Sequence, residues 1–84
     1  MFAIYVERAA EKDLSKLPTI YLSNIISKIK ELSKDPHPKG CKKIMSNENF
    51  WRIRIGNYRV IYEVIETDKV IKIYKIKHRK DVYR

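Results

Sequence analysis

Cysteine and histidine are the scarcest reactive residues in this sequence. Cys41 is the single cysteine among 84 residues, so neither an intramolecular disulfide nor an all-cysteine zinc site can form. This scarcity fits a reducing compartment such as the cytoplasm. His37 and His78 are the only histidines, and no second histidine or carboxylate cluster stands at a metal-ligand spacing from them. We therefore expect neither a metal site nor a cofactor.

Long apolar runs are also missing. No stretch approaches the roughly 20 apolar residues that a membrane span needs. The N-terminal sequence MFAIYVERAAEKD is too short and too acidic for a signal peptide. We expect a cytoplasmic protein without a membrane partner. A chain of this length is expected to form one domain over residues 1–84, with a single modest core.

Acidic residues are outnumbered by basic ones. The chain has 10 Asp and Glu against 19 Lys and Arg, which gives a formal net charge of +9. Such an excess favours a polyanionic partner: nucleic acid first, an acidic protein second and an anionic membrane third. A lysine-rich solvated surface would have the same composition, so the placement of the charges has to decide.

Local patterns predict the element order β-α-α-β-β-β. Residues 2–6 have strand composition, and a helical period that begins at Ala9 is divided into two helices by Pro18. From Phe50 the period becomes two, which predicts strands over residues 50–55, 58–65 and 70–77. The fold class is therefore α+β, a small antiparallel sheet with a helical hairpin packed on one face. The second helix presents an apolar stripe: Leu22, Ile25, Ile26, Ile29 and Leu32.

The stretch WRIRIGNYRVIY predicts a tight hairpin whose turn is residues 56 and 57. Glycine at the first central position suits a type II′ turn, and the resulting register opposes Arg54 to Arg59. One face of the hairpin is then apolar and packs on the second helix. The other face carries Arg52, Arg54 and Arg59, with Glu63 as the one carboxylate placed to offset them.

The clustered arginines suggest an anion site. Directly opposed like charges destabilise a sheet by a few tenths to about 1 kcal/mol, so a bound anion would turn repulsion into affinity. Phosphate fits because the planar guanidinium contacts its oxygens in pairs. A solvated face whose guanidiniums splay apart remains the alternative. The orientation of Lys75 and Lys77 stays open, because neither parity of the last strand is regular.

Taken together, the runs WRIRIGNYRVIYEV and KIYKIKHRKDVYR resemble the RelE/ParE superfamily of toxins from type II toxin–antitoxin systems. The resemblance covers nearly the whole chain and implies the superfamily's fold. RelE-like members cleave mRNA in the ribosomal A site, whereas ParE-like members inhibit DNA gyrase. A RelE-like chain implies a metal-independent endoribonuclease, and an acidic, partly helical antitoxin that covers its basic face.

The resemblance also implies roles for particular residues. Arg59 and Arg79 match phosphate-stabilising positions, and Tyr83 matches a C-terminal tyrosine that stacks on a base or assists proton transfer. His78 joins them as a side chain suited to acid–base chemistry near neutrality. The remaining candidates hold flanking phosphates: Arg52, Arg54, Lys77 and Lys80.

Arg52 and Arg54 stand where many relatives have lysine, and arginine is a poor proton carrier. We therefore expect a protein that positions RNA more than it activates it, while the ribosome supplies substrate geometry. Two alternatives stay open. One is a ParE-like gyrase inhibitor without nuclease activity. The other is a nucleic-acid-binding domain without chemistry, against which the lack of a row of surface aromatics argues.

Overall fold

The computed structural model describes residues 1–44 and 49–80. Its strands form one mixed sheet in the order β1-β5-β4-β3-β2, with both helices against the same face. The predicted α+β class and helical hairpin are confirmed, and neither helix is long and apolar enough to cross a membrane. In chain order the elements are β1 Ala3–Val6, α1 Arg8–Ser15, α2 Thr19–Leu32, β2 Lys42–Lys43, β3 Phe50–Ile55, β4 Tyr58–Ile65 and β5 Val70–His78.

The β3–β4 hairpin has the predicted bounds and register. Ile55 pairs with Tyr58 across the turn, and Arg54 pairs with Arg59. Gly56 has a φ of +60°, whereas Asn57 is not among the residues with positive φ. A type II′ turn requires positive φ only at its first central position, so a glycine there lets the strands reverse with the correct twist.

The two edge strands were not fully predicted. β1 pairs with β5 in parallel, from Ala3 opposite Val70 to Val6 opposite Ile73, which makes the sheet mixed. The two-residue strand β2 was not among the predicted strands, yet it pairs antiparallel with β3. A strand of two residues has no alternation to recognise, and the partner of an edge strand depends on the path of the chain.

A bulge interrupts the pairing of β4 with β5. Ile61 pairs with Lys75, but the next residue, Tyr62, pairs with Ile73. Tyr74 is therefore an extra residue on β5, in the pattern that defines a β-bulge. A bulge shifts the alternation of every side chain beyond it.

This shift explains the irregular parity of the last strand. Ile71 and Ile73 before the bulge and Ile76 after it are all buried. Without the extra residue, odd and even positions could not both reach the core. Beyond the bulge Lys77 is the register partner of Arg59, which places Lys77 on the face opposite the helices.

The core lies between the helical hairpin and one face of the sheet. Ile26 was predicted to lie on the apolar stripe of α2 that faces the sheet, but it is 36% exposed. Adjacent helical residues differ by about 100° around the axis, and Ile25 occupies the direction of the sheet. The buried apolar residues are Ala10, Ile25, Ile29, Leu32, Ile55, Val60, Tyr62, Val64, Ile71, Ile73 and Ile76.

A carboxylate from α1 supports the outer edge of β5 beyond the end of β1. The Glu7 N–H donates to the Ile73 carbonyl at 2.9 Å, where β1 ends. Further on, the Ile76 N–H donates to Asp13 Oδ2 at 3.0 Å. Asp13 thus takes the place of a neighbouring strand and satisfies a backbone donor. It holds in position the half of β5 that precedes the C-terminal candidate residues.

Candidate nucleic-acid interface

Three arginines lie together on the open face, the side of the sheet away from the helices. Arg54 is directly opposite Arg59, and Arg52 is two residues from Arg54 on the same strand. Opposed residues have Cβ atoms about 4.5–5.5 Å apart, and residues two apart share a face. The hairpin register alone therefore brings the three guanidinium groups to one place.

The arginines border a cleft of about 150 Å³. Its other lining residues are Lys42 of β2 and Gly40. Gly40 has a φ of +96°, which lets the chain turn into the short strand beside Arg52. Every charged side chain lining this cleft is a cation, so the cleft is complementary to an anion.

No carboxylate neutralises the arginine cleft within residues 1–44 and 49–80. The ion pairs of this part of the chain are Lys28–Glu31 and Lys69–Glu66, and neither includes an arginine. Arg54 Nε instead donates to the Gly56 carbonyl at 3.2 Å. The guanidiniums therefore keep their full charge for an external partner.

The predicted local offset by Glu63 is wrong in detail. Glu63 is four residues from Arg59, which is about 13 Å along a strand. Its Oε1 atom accepts a hydrogen bond from the Tyr74 hydroxyl at 3.0 Å. The carboxylate is thus directed to an aromatic neighbour rather than to the arginines.

A larger groove of about 510 Å³ adjoins the cleft on the side of α2 and shares Gly40 and Arg54 with it. Two carboxylates, Glu31 and Asp35, line this groove along with lysines. Mixed charge makes it a poorer phosphate site than the cleft, whose charged groups are all positive.

The end of β5 adds cations to the same region. Lys77 is the register partner of Arg59. The Arg79 N–H donates to the Asn57 carbonyl at 2.7 Å, which fixes Arg79 beside the hairpin turn. Lys80 follows as an exposed residue of a short turn. The structure thus brings Lys77 to the arginine face and Arg79 to its end.

Comparison with known proteins identifies the family of this chain. The family described as "ParE toxin of type II toxin-antitoxin system, parDE" matches residues 4–83. The chain belongs to the RelE/ParE family of type II toxin–antitoxin toxins. The Methanocaldococcus jannaschii protein named "Putative toxin RelE1" is 33% identical over 86 residues, which cover 99% of this chain and 96% of that protein.

Solved structures of RelE toxins share the fold. The crystal structure of the archaeal RelE–RelB complex from Pyrococcus horikoshii OT3 has a TM-score of 0.83 at 31% identity, and the match covers 93% of this chain and 94% of that one. The isolated RelE toxin of E. coli has a TM-score of 0.82 at 21% identity, with 99% and 92% covered. The second likeness shows the fold alone.

His78 does not join the arginines of this RelE/ParE toxin. It pairs with Tyr58, and the two rings meet edge to face with centroids 5.1 Å apart. Tyr58 faces the helices, because its ring also contacts Tyr21 of α2 at 5.7 Å. His78 therefore lies on the opposite side of the sheet from Arg59. The bulge decides this placement, since it resets which residues of β5 face the helices.

The ring of His78 also has a structural hydrogen bond. The Lys80 N–H donates to its Nδ1 atom at 3.2 Å. Tyr83 lies outside the described residues, so its role stays a prediction. Within residues 1–44 and 49–80, no group of three or more His, Cys, Asp or Glu side chains is placed to hold a metal ion.

Two aromatic residues on the open face were missed. Phe50 is two residues from Arg52, so it shares the arginine face, and its ring lies 5.0 Å from that of Tyr74. Burial, together with the hydrogen bond to Glu63, raises the pKa of Tyr74. Strand alternation could have located Phe50, whereas the position of Tyr74 depends on the bulge. From the sequence, only the lack of a row of surface aromatics was noted, and this pair was not identified.

Proposed function

We propose that this protein is a RelE-type toxin, a ribosome-dependent and metal-independent endoribonuclease that cuts mRNA in the ribosomal A site. The supporting observation is the arginine cleft, which presents Arg52, Arg54 and Arg59 on one open face. Within the described part of the chain these guanidiniums have no carboxylate partner. RNA phosphate matches them in charge and in bidentate geometry.

Phosphate stabilisation is the main chemical task of the cleft. When a 2′-OH attacks the adjacent phosphorus, negative charge accumulates on a crowded five-coordinate phosphate. Arg59 is opposite Arg54 on one side and Lys77 on the other, so it is the most central cation of the face. We assign it, with Arg79 beside the turn, to stabilise this developing charge. Arg52, Arg54, Lys77 and Lys80 hold the flanking phosphates.

Proton transfer is the weaker part of this site. The 2′-OH must lose a proton and the leaving 5′-oxygen must gain one. With His78 on the other face, the charged side chains lining the cleft are lysine and arginine. We assign Tyr83 to assist proton transfer or to stack on a base. These side chains would accelerate cleavage mainly by positioning the RNA, which fits a requirement for the ribosome.

An acidic antitoxin is the second proposed partner. The P. horikoshii relative was crystallised as a RelE–RelB complex. Carboxylates of an antitoxin would compete with phosphate for the same guanidiniums, and the formal charge of +9 favours fast association with an acidic chain. Neutralisation then follows directly, because the bound antitoxin excludes RNA from the cleft.

The replacement Arg59→Ala tests this assignment. We expect loss of growth inhibition and at least about a 100-fold loss of A-site cleavage, because one charge-stabilising donor is removed. Tyr83→Phe is expected to lose growth inhibition as well. Primer extension on mRNA from translating ribosomes measures the cleavage, and circular dichroism verifies that each variant is folded.

The matched control is Arg8→Ala, which removes an exposed arginine at the start of α1, on the side of the helices. It is expected to keep full activity. Full toxicity of Arg59→Ala would exclude the proposed site. Intact mRNA together with inhibited DNA supercoiling by gyrase would instead support the ParE-like activity.

A further inference from the structure

The open face has a second end, beyond the arginine cleft, where aromatic rings replace the cations. Phe50 and Arg52 are two residues apart on β3, about 6.7 Å, which is within the span of one nucleotide. The Phe50 ring packs against Tyr74 with centroids 5.0 Å apart and planes inclined at 41°. Both residues are half-buried, so neither is fully enclosed by the fold.

Glu63 completes this end of the face. It is the only acidic residue in the five described strands, and its register partners are Phe50 and Lys72. Its Oε1 atom accepts the hydrogen bond from the Tyr74 hydroxyl, which orients the carboxylate. Among the residues that the structure describes, no lysine or arginine nitrogen lies within 4.0 Å of it. The hydrogen bond from Tyr74 therefore leaves most acceptor positions of the carboxylate available.

A carboxylate on a face that binds RNA repels phosphate. Glu63 can therefore contribute to binding only through another part of the nucleotide. Unpaired bases are commonly held by stacking on aromatic side chains, and their polar edges are read by hydrogen bonds. Phe50 and Tyr74 provide rings, and Glu63 provides acceptors beside them.

We propose that Phe50, Tyr74 and Glu63 form a nucleobase subsite beside the arginine cleft, and that this subsite prefers bases with an amino group to uracil. The inference rests on the proposed RNA-binding function and adds base selectivity to it. The base stacks on the paired rings while its phosphate stays with the arginines. Cytosine donates from its N4 amino group to the carboxylate. Uracil presents carbonyl oxygens on either side of its single ring N–H, and the carboxylate repels both.

The test compares two single-stranded RNA octamers, C8 and U8, which carry the same charge and are both pyrimidines. Each is labelled with fluorescein and titrated with the full chain at low salt, with anisotropy as the readout. We expect C8 to bind about three- to tenfold more tightly than U8. Glu63→Gln is expected to bring this ratio near one, because an amide can donate to uracil as well as accept from cytosine.

The control for the change of charge is Glu66→Gln. Glu66 is an exposed carboxylate in the turn after β4, outside the subsite. Its removal raises the net charge equally, so both octamers bind somewhat more tightly and the ratio stays unchanged. Only a carboxylate that touches the base changes the ratio.

Two further variants separate stacking from selection. Tyr74→Phe keeps the ring but removes the hydrogen bond that orients the Glu63 carboxylate. We expect the C8 affinity to stay within about twofold of that of the unaltered protein, and the ratio of C8 to U8 affinity to decrease. Phe50→Leu keeps an apolar side chain without a ring, and both octamers are expected to bind about fivefold more weakly with an unchanged ratio. Thermal denaturation of each variant verifies the fold.

The outcomes distinguish this subsite from the proposed function. Equal affinity of the unaltered protein for C8 and U8 overturns the subsite. A change of ratio in Glu63→Gln no larger than in Glu66→Gln does the same. In both cases, RNA binding that weakens with added salt would still support the proposal that the arginine cleft binds RNA. Failure to bind either octamer at low salt would contradict the cleft and the proposed function together.

Discussion

The two faces of the sheet are made from alternate residues of the same strands, yet they differ in burial and in charge. On the covered face, Val60 and Ile73 are fully buried against the helices. On the open face, Arg59 stands next to Val60 in the chain and has no ion-pair partner among the described residues. Strand alternation thus separates the residues that stabilise the fold from those of the proposed RNA-binding face.

The two faces make contributions of opposite sign to the stability of the folded state. Burying a large aliphatic side chain stabilises the folded state by roughly 1.5–3 kcal/mol. Placing Arg54 opposite Arg59 costs a few tenths to about 1 kcal/mol. The stabilisation from burying one such side chain on the covered face therefore exceeds the cost of the opposed arginines on the open face.

The largest expected difference between the faces is in the stability lost when an isoleucine is replaced by alanine. Ile73→Ala should lower the free energy of unfolding by about 2–5 kcal/mol, because Ile73 is fully buried and leaves a cavity. Ile61→Ala removes the same atoms from a half-buried position on the open face and should cost less than about 1 kcal/mol. Urea unfolding monitored by circular dichroism measures both. Equal losses would show that the open face is also part of the core.

A smaller effect concerns the polar group within the covered face. The Tyr62 hydroxyl donates to the Pro36 carbonyl at 2.8 Å, and Tyr62 is fully buried. Tyr62→Phe leaves that carbonyl unpaired, so we expect the free energy of unfolding at neutral pH to fall by about 1 kcal/mol.

The pH dependence of this pair follows from the same burial. Burial, with smaller contributions from Cys41 and Asp35, raises the pKa of Tyr62 above its ordinary value of 10.0. Above pH 10 the unfolded chain loses the proton that the folded protein keeps, so the stability that Tyr62 contributes is full below that pH and declines above it. The gap between the unaltered protein and Tyr62→Phe should therefore narrow from neutral pH to about pH 11. A gap that widens would contradict a protonated, buried tyrosine.

The smallest expected effect is a gain of stability on the open face. Arg54→Glu converts the repulsive pair with Arg59 into an attractive one, and should raise the free energy of unfolding by about 0.5 kcal/mol at low salt. The gain should shrink in high salt because the pair is exposed. The neutral variant Arg54→Gln should give about half the gain. Unchanged or lower stability in both variants would refute the argument that the arginines repel.

Much of the hairpin and its site was predictable because the signals are local. The Gly56-Asn57 turn and the alternation around it depend on residues within a few positions of one another, and the predicted register is the observed one. The family resemblance was confirmed by the match over residues 4–83. The placement of Arg52, Arg54 and Arg59 on one face followed from the turn and the strand alternation.

Features that depend on distant parts of the chain were not predictable. His78 was grouped with the arginines but lies against Tyr58 on the other face. Asp13 accepts a hydrogen bond from a backbone N–H 63 positions away, a contact that no local pattern indicates. Both depend on how β5 is bent and supported, and that is decided by its neighbours in space.

The sequence by itself determined the helices, the strand hairpin and the common face of three arginines, since turn chemistry and strand alternation act over a few residues. Only the tertiary structure decided the parallel partner of β1, the bulge at Tyr74 and hence the side of His78. A one-residue bulge reverses every later side chain of a strand, and whether it forms depends on packing and on distant hydrogen bonds. The common face of the arginines could therefore be anticipated from the chain, whereas the bulge alone brings Tyr74 beside Phe50 and Glu63.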